Sequence, residues 1–195
     1  MPRTLKIKSL LICFAWVLGT AGLQALAQDV VHAVDGTVKR VDKDAKTITV
    51  DTAEGTEHVF KYTSHTAVES FDDAGKLTKK GVGEAAVGAK DGAHVVVHYT
   101  EKGVDKTAVA VRDFGKADAH VAKGTVTRVD KAAHTIVIKG EDGAEKTFHL
   151  SKDASVDTEH GVVRGADYVG KEGEHVTVHY TKIGGDDVVH FLKRI

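Results

Sequence analysis

Much of this chain is written twice, and that restricts its folding more than any other feature. Gly36-Thr37-Val38-Lys39-Arg40-Val41-Asp42-Lys43 returns as Gly124-Thr125-Val126-Thr127-Arg128-Val129-Asp130-Lys131. The spacing of 88 residues, from position 36 to 124, also relates Thr47-Ile48 to Thr135-Ile136, Phe60 to Phe148 and Val68 to Val156. Further on, Gly92-Ala93-His94-Val95-Val96-Val97-His98-Tyr99-Thr100 returns as Gly173-Glu174-His175-Val176-Thr177-Val178-His179-Tyr180-Thr181, now 81 residues away. The first copy therefore carries seven extra residues, around Phe71–Leu77. Colinear self-similarity of this kind marks a structural unit that was copied.

Each copy has the pattern of short strands. Val and Thr are frequent, apolar and polar residues alternate, and turn residues punctuate the runs. In Thr47-Ile48-Thr49-Val50-Asp51, Ile48 and Val50 share one face, as Ile136 and Ile138 do in the second copy. Thr52–Gly55 and Gly140–Gly143 are expected as hairpin turns, with later hairpin tips at Lys102–Asp105 and Ile183–Asp186. A short helix or turn is expected near residues 83–87 and again near 164–169. An open sheet of this size would leave bare edges, and closure into a barrel removes them. The expected fold class is all-β: two tandem small OB-like or SH3-like β-barrels after a signal peptide. The divisions are 1–27 signal peptide, 28–114 first barrel, 115–119 linker and 120–195 second barrel.

The signal peptide rests on three parts: a positive start (Arg3, Lys6, Lys8), an apolar run from Leu10 to Leu18, and Ala25-Leu26-Ala27 before the cut. The run is too short for a comfortable membrane span, which needs about 20 residues. The expectation is a periplasmic or secreted protein with no stable membrane span after cleavage. Cleavage removes the single Cys, Trp, Pro and Met, so no disulfide can form. The 27 basic residues fall to 24 with Arg3, Lys6 and Lys8, while all 28 acidic residues remain. A mildly acidic surface argues against a nucleic-acid partner, which needs a basic patch. An envelope protein or ligand of unknown identity is left as partner.

The motif Gly-x-Val-x-x-Val-Asp, then Thr-Ile-x-Val, a turn glycine and a late Gly-x-x-Val-x-Val resembles a bacterial family of exported small β-barrel domains of unknown function. That resemblance implies a fold and an envelope location, and no reaction. The pattern is also similar, more distantly, to the periplasmic copper chaperones of copper/silver efflux systems. Their copper site of one His, two Met and a capping Trp is not carried over, because the chain after residue 27 has neither Met nor Trp.

All 12 histidines lie beyond the signal segment, and imidazoles suit Zn, Cu(II) and Ni. His94 and His98, like His175 and His179, are four apart on predicted strands, about 13 Å along the strand at ~3.3 Å per residue. Neither pair can chelate one ion. Their neighbours Val95, Val97, Val176 and Val178 face the core, so these histidines are expected to face water. A two-residue turn at Gly184-Gly185 would set His179 opposite His190, close enough to share an ion. The candidate metal ligands are thus His179, His190 and His175, with Zn or Cu as the ion; no other cofactor is implied. No nucleophile elbow, phosphate loop or His-Glu-x-x-His pair is present. Asp72-Asp73 and Asp186-Asp187 read as solvated turn residues. The leading expectation is a non-catalytic exported binding or structural module, and not an enzyme. The alternative is a periplasmic divalent-metal binder using surface histidines.

Overall fold

The computed structural model describes residues 29–72, 77–83, 89–116 and 118–195. The signal segment and its cleavage point lie outside the described residues, as do the expected turn or helix at 84–87 and residues 73–76 of the extra segment. Among the described residues no helix is long and apolar enough to cross a membrane.

The first sheet contains β1 (His32–Asp42), β2 (Thr47–Asp51), β3 (Glu57–Lys61), β4 (Ala67–Phe71), β5 (Leu77–Val82), β6 (His94–Lys102) and β7 (Asp105–Asp113). The second contains β8 (His120–Asp130), β9 (Thr135–Gly140), β10 (Glu145–Thr158), β11 (Gly161–Arg164), β12 (His175–Ile183) and β13 (Asp186–Arg194). In the second, β8-β9-β10-β13-β12 close back on β8, with β10 and β13 parallel. In the first, β1-β2-β3-β7-β6 close back on β1, again with a parallel β3–β7 contact. There β4 continues the path of β3 along β7. Five strands in the order 1-2-3-5-4, closed on strand 1, make an OB barrel. The protein is all-β and consists of two such barrels in tandem.

The alternation read from the sequence builds both interiors. Val38, Ile48, Val50, Phe60, Val95, Val97 and Val111 fill the first barrel. Val126, Ile136, Ile138, Phe148, Val176, Val178 and Leu192 fill the second. The duplication reaches single atoms. Asp42 Oδ1 accepts a hydrogen bond from the Ala45 amide at 2.9 Å, and Asp130 Oδ1 accepts one from Ala133 at the same distance. In each turn one non-glycine residue, Lys46 or His134, takes a left-handed φ near +50°. The helix or turn expected near 164–169 is a single 3-10 turn at Gly165–Asp167.

The repeated Gly36 and Gly124 have a steric reason. A Cβ on Gly124 would collide with the Lys139 carbonyl oxygen and sit 2.8 Å from Ile138 Cγ2. Gly36 faces the Asp51 carbonyl and Val50 in the same way. Gly124→Ala is expected to cost about 3 kcal/mol, because the close β8–β9 approach must open. Urea unfolding of the variant checks this; an unchanged midpoint would show that the strands yield freely.

Candidate metal centre between the barrels

In an isolated barrel the outward side chains of β1 and β6 would be wet. Here the second barrel covers them. Ala33, Val96, Phe114 and Phe191 form a third apolar cluster, with Phe71 and Val162 packed against it. Phe71 stacks on Phe114 at 4.9 Å between ring centroids, and Phe114 meets His190 at 4.7 Å. The Val162 amide donates to the Val31 carbonyl at 2.9 Å, joining the backbone of one barrel to that of the other. His98 Nε2 lies 2.6 Å from Ser155 Oγ, and an Arg112 Nη donates to the Asp153 carbonyl.

Within this contact three polar side chains converge. Asp35 stands on β1 opposite Val96 and His94 stands on β6 opposite Thr37, so the two are diagonal neighbours on one face. His179 reaches them from β12 of the second barrel. His94 Nε2 is 2.7 Å from Asp35 Oδ2, and His179 Nδ1 contacts Asp35 Oδ1. All three residues are buried, with relative exposures of 4%, 5% and 4% for Asp35, His94 and His179. One donor atom from each lies within 4.8 Å of the others.

The histidine at 94 is turned so that its contact with Asp35 is not an aligned hydrogen bond. Among the described residues, Asp35 Oδ2 and both ring nitrogens of His94 lack a hydrogen-bond partner. Two of these three atoms, Asp35 Oδ2 and His94 Nε2, face each other at 2.7 Å, so it is His94 Nδ1 that is left over, and a buried polar group in that position costs about 1–3 kcal/mol. Burial alone would raise the Asp35 carboxyl, but its close contacts with His179 and His94 outweigh it. The net shift is downward, favouring the carboxylate. Two imidazoles and a carboxylate from different strands are a ligand set suited to Zn(II), and imidazole also suits Cu(II).

Two expectations from the sequence change here. His94, His98 and His179 do point away from their barrel interiors, yet they meet the other barrel rather than water. Only His175 of that group is exposed, and it pairs with Thr125 Oγ1 at 3.1 Å. The β12–β13 hairpin follows the expected register as far as Tyr180 opposite Val189. A bulge then sets Phe191 opposite His179. His190, displaced by the bulge, turns to Thr181 Oγ1 at 2.7 Å and packs on Phe114. The grouped donors are therefore Asp35, His94 and His179, without His175 or His190. Burial, with the nearby Arg112 charge, pushes His98 down to about 4. Burial, beside His94 and Arg112, pushes His190 down to about 4.

Sequence reasoning passed over Asp35 and placed His94 in water. A signal for Asp35 existed in the repeat: the equivalent position in the second copy is Lys123. One copy carries a carboxylate where the other carries an ammonium, which cannot serve as a ligand.

No known family model matches the chain, and no curated protein matches it. Among solved structures it is distantly similar to apo-CusF residues 6–88 from Escherichia coli. The identity is 14% and the TM-score 0.32, covering 40% of this chain and 89% of that one. It is also similar to the silver-bound form, CusF-Ag(I) residues 10–88 from Escherichia coli, at 18% identity and TM-score 0.30, over 45% and 95% of the two chains. The Drosophila Unr CSD456 structure aligns with 86% of this chain and 62% of its own, at 12% identity and TM-score 0.29.

Proposed function

We propose that this protein is a non-catalytic metal-binding module of the cell envelope, holding one Zn(II) or Cu(II) between its barrels. One observation carries the reading: a buried carboxylate and two buried imidazoles converge from both barrels, with one donor atom of each within 4.8 Å of the others. The N-terminal sequence pattern supports the envelope location. Burial of all three residues supports a binding role, since bulk solvent and a substrate have little access to them. Asp35, His94 and His179 would hold the ion, and both imidazole contacts of the carboxylate would have to open to admit it. Entry requires the barrels to part, which suits slow capture and slow release.

Calorimetric titration of the chelator-stripped chain with Zn(II) is expected to show one ion bound. Asp35→Asn, His94→Ala and His179→Ala should each weaken binding at least 100-fold, while His175→Ala leaves it unchanged. Equal affinity in the first three variants would place the metal elsewhere or nowhere.

A further inference from the structure

A separate cleft opens along the same junction, and we propose that it holds a small amphipathic monoanion, a free carboxylate with a hydrocarbon body. The cleft has a volume of about 660 Å³. That lies within the range of small-molecule sites, which is roughly 300–1,000 Å³. One wall comes from β4 and β5 of the first barrel, the other from β10 and β11 of the second.

Its apolar surface is paired across the gap. Phe71 and Leu77 line one side, Val162 and Val163 the other. Leu77 is 45% exposed and Val163 38%. Phe71 and Val162 are partly covered by the junction cluster, while Leu77 and Val163 stay open to solvent. A hydrocarbon chain laid between them would remove this apolar surface from water.

The charges lining the cleft do not balance. Lys80 Nζ lies 3.2 Å from Glu69 Oε1, and Arg112 Nε lies 3.4 Å from Glu69 Oε2. An Arg164 Nη lies 2.6 Å from Asp153 Oδ1. Among the described residues that line the cleft, three cations thus share two carboxylates, leaving one positive charge in excess. Arg112 is 8% exposed, and its Nε makes no hydrogen bond among the described residues. Its guanidinium carbon stands 4.9 Å from the Phe71 ring centre, joining the charged floor to the apolar wall. Lys80 and Arg164 are well exposed and stand on opposite walls. A carboxylate drawn between them can accept charge-assisted hydrogen bonds from both, in competition with Glu69 and Asp153. The excess of one favours a monoanion over a dianion or a cation.

The test uses dodecanoate below its micellar range, titrated into the chain with chelator present, so its outcome is independent of the metal reading. One dodecanoate per chain is expected, with dodecylammonium at least tenfold weaker, about 1.4 kcal/mol. Lys80→Glu and Arg164→Glu should each weaken dodecanoate about tenfold, and Val163→Asp should weaken it as well. Lys80 is exposed enough that its variant remains informative if Arg164→Glu fails to fold. Three results would overturn the proposal: no saturable binding, equal binding of dodecylammonium, or affinities indifferent to all three substitutions. Binding to phosphatidylglycerol vesicles without binding of free dodecanoate would also overturn it.

Discussion

Acidifying a solution of the metal-free protein from pH 7.5 to pH 5 is expected to cost about 4 kcal/mol of folding stability. The source is His98 and His190, both held near pKa 4 in the folded state. Unfolded, an imidazole titrates near 6.5. Between those values the unfolded chain binds protons that the folded chain refuses. Stability therefore falls as pH drops from about 6.5 toward 4, and is fully present above that window. Each histidine carries about 3 kcal/mol across the whole window, of which roughly 2 is gone by pH 5. Arg112 and Glu69 near His98, and His94, Asp35 and Arg112 near His190, are the charges acting on the two groups. Urea unfolding at the two pH values measures the loss. His98→Gln, which keeps a polar partner for Ser155, should remove about half of the pH dependence. A midpoint flat across this range would mean that both imidazoles are free to protonate in place.

The second large effect is expected from Asp35→Ala. Removing a buried carboxylate leaves the polar groups it contacted without a partner, at about 1–3 kcal/mol for each. Here the partners are His94 and His179, in contact with both oxygens of one carboxylate. The loss should fall on the junction, because Asp35 belongs to neither barrel interior. The barrels are expected to separate before either melts, visible as a larger radius in X-ray scattering with strand content retained. The pH window also separates this effect from that of the histidines. The Asp35 carboxyl is lowered on folding, so its contribution stands above the unfolded value near 4 and is lost as pH falls through the folded one. A variant as compact and as stable as the parent would show that apolar packing alone holds the barrels together.

The interiors were legible in the sequence because strand alternation has a period of two and the repeat showed it twice. Ile48 with Val50 and Ile136 with Ile138 point inward as the pattern required. The hairpin tips at Gly103 and Gly184-Gly185 also lie where turn chemistry placed them. The junction was not legible, for a physical reason. Alternation tells in from out for one sheet, but not whether the outer face meets water or another domain. Val96 and Phe191, apolar on outward positions, were the available hint. The bulge after Tyr180 was invisible too, since one extra residue in a strand leaves no mark in composition. That single residue exchanged His190 for Phe191 opposite His179.

The connection between β7 and β8, residues 114–119, has a consequence for how the central cluster survives in a dilute compartment. Two of its side chains come from one half of the polypeptide and the third from the other. Tethering makes their encounter intramolecular, at an effective concentration of the order of millimolar for a short link. Lowering the amount of protein cannot disperse such an arrangement. Cutting the tether would make its assembly bimolecular and sensitive to abundance.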